Sequence, residues 1–141
     1  MMKDREMLNA IFKNAKMGVV GINSVSRYAG MKLCSELKKQ KKEYADICRE
    51  AHRLQSMKDN PVKGLSAFAV KGSDMLSRMK LSYDSSDSKI AEMMINGSTM
   101  GITKIIRSRR AYEGHDARVD NLSQKLLMTE QNNIESMKGY L

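Results

Sequence analysis

The chain has 141 residues, the length of one ordinary domain, and its composition includes few aromatic residues, no tryptophan and a single proline. It contains no run of about 18 apolar residues and its N-terminus is charged, which argues against a membrane span or a secretory signal and predicts a soluble, cytoplasmic protein. The net charge of +9 predicts association with something acidic, such as nucleic acid, an anionic membrane surface or an acidic protein.

The first predicted element is a helix over residues 3–28. Its apolar residues recur at helical spacing on one face, its polar residues gather opposite, and Gly30 is expected to stop it. The alternation of apolar and polar residues that is typical of β-strands is missing from the whole chain, so we expect a nearly all-helical protein. The residues of the apolar face are Met7, Leu8, Ile11, Phe12, Ala15, Gly18, Val19, Ile22 and Val25.

The second predicted helix covers residues 31–57 and has the most regular pattern in the chain. A seam with alternating spacings of four and three predicts packing in an antiparallel or coiled-coil-like pair. Cys34 and Cys48 lie in this helix about 21 Å apart along its axis, too far for a disulfide, and are read as small buried hydrophobes. Pro61 ends the helix. The seam consists of Leu33, Leu37, Gln40, Tyr44, Ile47, Ala51 and Leu54.

The remaining pattern predicts a connection and a second helical pair. Residues 58–87 form a crossover, in which 65–79 keep the spacing of a short amphipathic helix, and Asp87 or Ser88 is the expected N-cap of the next helix. The helix over 88–110 is apolar around about two-thirds of its circumference, which indicates neighbours on more than one side. Gly97 and Gly101 stand one turn apart in it and suggest a close backbone approach by another helix. A last helix over 117–138 begins with Asp116 as its cap.

These elements form a single predicted domain over 1–141: hairpin 1 (about 3–57), the crossover, and hairpin 2 (about 88–139). An offset of 83 residues places Gly18 on Gly101 and Ile22 on Ile105 in the first helices, and Tyr44 on Leu127 in the second ones. The apolar register survives in both hairpins, which favours an internal repeat. A helix pair, a crossover and a second helix pair is the order of four-helix bundles with one long connection.

Two short motifs carry a resemblance to a known superfamily. The chain reads KNAKMG at 13–18 and IAEMMINGSTMGI at 90–102. In these stretches it resembles small uncharacterised bacterial members of the ferritin-like superfamily. The resemblance implies an all-α, ferritin-like four-helix bundle. It also implies a di-metal carboxylate centre, built from one Glu on each of two helices and a Glu-x-x-His on each of the others.

The ligands of such a centre are largely missing from the sequence. Only two of the six corresponding positions are acidic and none is His, so we expect no metal, no cofactor and no catalytic residue. His52 and His115 have no partner at a spacing that suggests a triad or a zinc site. Glu130, which falls on the seam of the last helix, has two readings: a partly exposed carboxylate paired with Lys or Arg, or a buried acid with a raised pKa and a function. The six positions are Asn14, Ile47, Glu50, Gly97, Glu130 and Asn133.

The sequence also contains two basic clusters and thirteen methionines. The clusters either contact phosphates in a sequence-independent, salt-dependent manner or form solvated helix faces. The methionines are interpreted mainly as soft packing in a core or an interface, with a methionine-rich binding groove or an oxidation buffer as the alternatives. The candidate polyanion-binding residues are Lys38, Lys39, Lys41, Lys42, Arg107, Arg109 and Arg110.

The sequence therefore predicts a non-enzymatic helical bundle that acts through protein–protein contacts and has lost an ancestral metal centre. A homodimer is expected, because the broad apolar arc of 88–110 leaves surface for a partner. The first alternative is nucleic-acid or polyanion binding through the basic helix faces. The second alternative is a ferritin-like oxidoreductase with a non-standard metal site.

Overall fold

The computed structural model describes residues 2–58 and 86–141. Within these ranges the chain forms α1 (Asp4–Val25), α2 (Met31–Met57), α3 (Asp87–Ala111) and α4 (Ala117–Lys138), with a 3-10 turn at Ser26–Tyr28. No strand occurs in the described ranges, and none of their helices has the length and apolar character that crossing a bilayer demands. The prediction of an all-helical bundle is confirmed. The predicted crossover helix over 65–79 lies outside the described residues.

Two of the predicted helix caps are corrected by the structure. Ser86, rather than Asp87 or Ser88, is the N-cap of α3, and its hydroxyl accepts a hydrogen bond from the Lys89 amide at 3.2 Å. Gly30 does not stop the first helix, because it has an extended backbone (φ −64°, ψ 167°) and is the N-cap residue of α2. The Gly30 amide donates to the Asp87 carboxylate at 2.9 Å. The cap at Asp116 is confirmed by its hydrogen bond from the Arg118 amide.

The four helices pack so that each has antiparallel neighbours. α1 pairs with α2 and α3 pairs with α4, while α1 also packs on α3 and α2 on α4. The Met2 amide donates to the Ala111 carbonyl at one end of the bundle, and Asn14 meets Gly101 near its middle, so α1 and α3 run in opposite directions. α2 and α3 lie diagonally opposite each other. The predicted neighbours on more than one side of α3 are therefore found.

An ion-pair cluster holds one end of this bundle together. The Lys58 ammonium lies 3.1 Å from both the Asp4 and the Asp116 carboxylates, which come from α1 and from the turn before α4. The Tyr112 hydroxyl donates to the second oxygen of Asp4. The ends of three helices are thus joined through one ammonium group and two carboxylates.

Burial confirms the α2 seam and revises the register of the internal repeat. All seven predicted seam residues of α2 are buried. An offset of 83 still matches Gly18 with Gly101 and Ile22 with Ile105, but α4 buries Glu130 and Asn133 and leaves Leu127 half-buried. An offset of 86 instead places six of the seven seam positions on buried α4 residues. The offset that relates α2 to α4 is therefore three residues larger than the offset that relates α1 to α3. The six are Val119, Ser123, Leu126, Glu130, Asn133 and Met137.

Candidate functional site: a cavity between the first and third helices

An elongated cavity of about 400 Å³ lies between α1 and α3. This volume falls within the range of small-molecule sites, which is about 300–1,000 Å³. Its α1 wall is one continuous helical stripe from Ala10 to Val25, and its α3 wall extends from Met93 to Ser108. At a rise of about 1.5 Å per residue, the stretch from Lys13 to Val25 gives the cavity a length of about 18 Å.

The two ends of the cavity differ in chemistry. The antiparallel packing of α1 and α3 brings Lys13 and Asn14 to the same end as Lys104, Arg107 and Ser108. Lys13, Lys104 and Arg107 are exposed, so the cavity meets solvent at a positively charged mouth. The opposite end is apolar because the same packing brings the last turns of α1 to the first turns of α3. It is lined by Met17, Gly21, Val25, Met93, Met94 and Gly97.

A buried carboxyl group lies beside the charged end. Glu130 of α4 is 3% exposed and lines the cavity, and no lysine or arginine of the described ranges forms an ion pair with it. Burial raises the pKa of Glu130 to about 7, and a hydrogen bond from Tyr44 acts in the opposite direction. The first reading of Glu130, as an exposed and ion-paired carboxylate, is wrong. Its burial and raised pKa agree with the second reading, while a function for it stays a prediction.

Tyr44 of α2 connects Glu130 to the polar side chains around it. The side chains of Glu130, Ser98 and Asn133 surround its hydroxyl, and each acts on the pKa of Tyr44. Burial, followed by the nearby Glu130 charge, raises the pKa of Tyr44 well above its usual range, so the phenol stays protonated. The Asn133 amide nitrogen has no hydrogen-bond partner in the described part of the chain. α2, α3 and α4 each contribute to this polar cluster.

Two glycines allow the buried groups to approach their neighbours. A Cβ on Gly18 would lie 2.5–2.6 Å from the Tyr44 ring, and one on Gly101 would press on the Glu130 carboxyl and lie 2.9 Å from the Asn14 side-chain oxygen. The Asn14 amide also donates to the Gly101 carbonyl at 2.9 Å. The expected backbone approach at Gly97 and Gly101 is therefore corrected. Side chains contact Gly101, and a Cβ on Gly97 would meet no atom within 4 Å.

The residues present do not fit the di-metal centre that the ferritin-like resemblance implies. Glu130 is the one carboxylate of the Tyr44 cluster, and the described ranges contain no group of three or more His, Cys, Asp or Glu side chains that could hold a metal ion. Glu50 pairs instead with Arg53 at 2.5 Å on the α2 surface. His52 and His115 are exposed. One carboxylate does not balance the charge of two metal ions.

The basic residues singled out in the sequence lie in two separate places. Lys38, Lys39, Lys41 and Lys42 are exposed on α2, about 24–30 Å along that helix from Lys58. The cluster of 107–110 lies at the Lys58 end of the bundle, because the neighbouring Ala111 carbonyl accepts from the Met2 amide. The two clusters lie toward opposite ends on diagonally opposite helices, so they form no continuous patch.

The members of the second cluster also differ from one another. Arg109 donates to the Ser123 hydroxyl at 2.7 Å and lies 3.8 Å from the Asp120 carboxylate, so it joins α3 to α4. Arg107 lines the cavity mouth, and Arg110 is exposed. Lys13 and Lys104 line the same end of the cavity as Arg107, and the sequence analysis singled out neither lysine. Polyanion binding by the two clusters stays a prediction.

Methionines lie both in the core and along the cavity wall. Met7, Met93 and Met137 are buried, and Met93 also lines the cavity together with Met17, Met94 and Met100, which are half-buried or exposed. Flexible thioether side chains pack against ligands of different shape, as in other methionine-rich binding surfaces.

No protein-family model, curated protein or solved structure matches this chain.

Proposed function

We propose that this protein is a ligand-binding helical bundle that holds a small, mainly apolar organic molecule between α1 and α3. The observation that carries the proposal is the 400 Å³ cavity itself, which has one apolar end and a few polar groups near the other. Concave, mainly apolar sites with a few convergent polar groups are the usual form of small-molecule sites. Gly97 and Gly21 support the proposal, because each leaves open space where a side chain would fill the cavity.

We further propose a ferritin-like arrangement whose central site has changed from metal to organic ligand. The hairpin order, the antiparallel neighbours and the position of Glu130 and Tyr44 at the middle of the bundle support this. Binding without chemical conversion is the favoured mode, because the described cavity wall offers a single carboxyl group and no histidine. Protein–protein contacts, a homodimer, and a cytoplasmic and bacterial setting stay predictions. The proposed ligand binding and the predicted protein–protein contacts would both hold if the bound ligand controlled a contact with a partner protein.

A rod-shaped neutral probe tests the proposed function. Diphenylhexatriene fluoresces in apolar surroundings, and we expect saturable binding at one equivalent per chain. Gly97→Leu should abolish binding, because its side chain enters the cavity without a clash at Cβ. Asn96→Leu is the matched control, since it adds the same side chain at the neighbouring exposed position of α3. Equal binding by the wild type and Gly97→Leu, with both folded by circular dichroism, would contradict the proposal.

A further inference from the structure

We infer that the ligand is a single-chain organic carboxylate whose charged group lies at the Lys13, Lys104 and Arg107 end of the cavity. This inference rests on the proposed function and deepens it by naming the ligand class. Its apolar chain would lie along the α1–α3 interface toward Val25 and Met93. The cavity has this same order of polar and apolar walls along its length.

The charge at the mouth selects an anion over a cation. Within the described ranges, Lys13, Lys104 and Arg107 form no ion pair, and all three side chains are exposed. An anionic group placed among them gains three attractive interactions, while an ammonium group meets three like charges. The net charge of +9 acts in the same direction over a longer range.

The Glu130 carboxyl group is compatible with an anion when it is protonated. A neutral carboxylic acid donates one hydrogen bond, and a ligand carboxylate is a strong acceptor for it. Glu130 is close to the Asn14 side chain from α1 and to Tyr44 from α2, and Tyr44 in turn interacts with Ser98 from α3 and Asn133 from α4. Lys13, Lys104 and Arg107 line the same cavity. None of them is acidic apart from the phenol of Tyr44, whose raised pKa keeps it neutral. A bound anion therefore favours the protonated form of Glu130. The affinity of the protein for the anion should fall as the pH rises above about 7.

The apolar end suits a flexible chain rather than a rigid ring system. Met17, Met93 and Met94 have side chains that adapt to a chain's path, and Gly21 and Gly97 widen the cavity between them. Each methylene group that enters this end should tighten binding about fourfold, up to the length that the cavity holds. Adsorption on an open surface would show no such limit.

The test uses the full-length protein, stripped of lipid and titrated by calorimetry at pH 6 with dodecanoate, dodecanol and dodecylamine below their micelle-forming concentrations. We expect dodecanoate to bind at least tenfold more tightly than dodecylamine. Lys104→Met should weaken dodecanoate about fivefold and leave dodecanol unchanged. Lys125→Met, at an exposed position of α4 near Glu43 and Glu50 of α2, is the control and should change neither. Affinity should rise from octanoate through the longer acids and then stop rising.

A second variant tests the role assigned to Glu130. Wild-type affinity for dodecanoate should fall about tenfold between pH 6 and pH 8. Glu130→Gln keeps a hydrogen-bond donor without a titrating group, so it should bind at both pH values with the wild-type affinity of pH 6.

The outcomes separate this inference from the proposed function. Binding of dodecanol or dodecylamine that equals or exceeds that of dodecanoate, with Gly97→Leu still blocking it, would overturn the carboxylate and leave the cavity as a ligand site. Failure of all three probes and of diphenylhexatriene would overturn both. An affinity for dodecanoate that Lys125→Met lowers as much as Lys104→Met would also overturn the inference, because it would show adsorption on the general positive surface.

Discussion

The carboxyl group of Glu130 on α4 rests against the backbone of Gly101 on α3, in the space that a Cβ of residue 101 would occupy. The carboxyl is held there from a second side by the hydrogen bond with Tyr44. The carboxyl therefore lies between the Gly101 backbone and the Tyr44 side chain. The contact therefore ties the choice of glycine in α3 to the presence of a buried acid in α4.

Alanine at position 101 should destabilise the fold. The added methyl group overpacks the Glu130 carboxyl and the Asn14 side chain, at a cost of about 1–3 kcal/mol that exceeds the gain of about 1 kcal/mol in helix propensity. Gly97→Ala, one turn earlier, is the matched control and should stabilise by up to about 1 kcal/mol, since no atom lies within 4 Å of its Cβ. Urea unfolding of both variants measures the difference. Equal stability of the two would mean that the carboxyl moves aside freely.

Glu130 should make the stability of the protein fall as the pH rises toward neutrality. Its pKa is about 7 in the folded chain and about 4.5 in the unfolded chain, so between these values the folded state binds one proton more. The free energy of unfolding should therefore drop by roughly 3 kcal/mol as the pH rises from about 4.5 to about 7. Urea unfolding across this window, with Glu130→Gln, measures the contribution.

Glu130→Gln and its control should differ in the pH dependence of their stability. Glu130→Gln should lose this drop and be more stable than the wild type above pH 7. Glu50→Gln should keep it, because the hydrogen bond from Arg53 lowers the pKa of Glu50 and confines its effect to acid pH. A wild type whose stability is flat between pH 5 and pH 7 would contradict the assignment of a buried, protonated Glu130.

Removing the ammonium group of Lys58 should weaken the end of the bundle. In Lys58→Met the Asp4 and Asp116 carboxylates lose their shared partner, and we expect a loss of about 1 kcal/mol at pH 7, since all three groups retain some contact with solvent. Hydrogen bonds lower the pKa of both aspartates, from Tyr112 first for Asp4 and from Arg118 first for Asp116.

The pH dependence of this cluster runs opposite to that of Glu130. Its contribution is present above the unfolded aspartate pKa of 3.8 and is lost as the pH falls through the lowered values, so wild type and Lys58→Met should converge in acid. Lys42→Met, which breaks an exposed pair with Asp46, is the control and should change the free energy of unfolding little. If the loss of stability in Lys58→Met persisted unchanged below pH 3, the effect of the substitution would come from lost packing and not from lost charge.

The two cysteines should react at different rates with a thiol reagent. Burial raises the pKa of Cys48 to about 11, and its thiol lies 3.8 Å from the Phe12 carbonyl, whereas Cys34 is partly exposed. Native labelling, read by mass spectrometry, should modify Cys34 first, and Cys48 only at the rate at which the bundle opens. Cys34→Ser isolates the slow site. Rapid labelling of Cys48 in that variant under native conditions would contradict the buried position.

The sequence by itself determined the order and approximate bounds of the four described helices and the buried seam of α2. The 4-3 spacing from Leu33 to Leu54 identified seven of the nine buried residues of α2, because periodicity reports the side of a helix that is withdrawn from water. The bounds of α2 and α4 also agree with their predictions to the residue, and at α4 the aspartate cap Asp116 marks the start of the helix locally.

Only the tertiary structure decided which residues meet in the middle of the bundle. In the repeat, an offset of 83 aligns Ile47 with Glu130, whereas the packed helices align Tyr44 with Glu130. The difference is three extra residues in the second hairpin, and the sequence pattern did not show where they lie. One turn of a helix is enough to exchange a packing residue for a site residue. The charged mouth was missed for the same reason. Lys13 and Lys104 are 91 positions apart in the chain, and the antiparallel contact of α1 with α3 is what brings both to one end of a cavity.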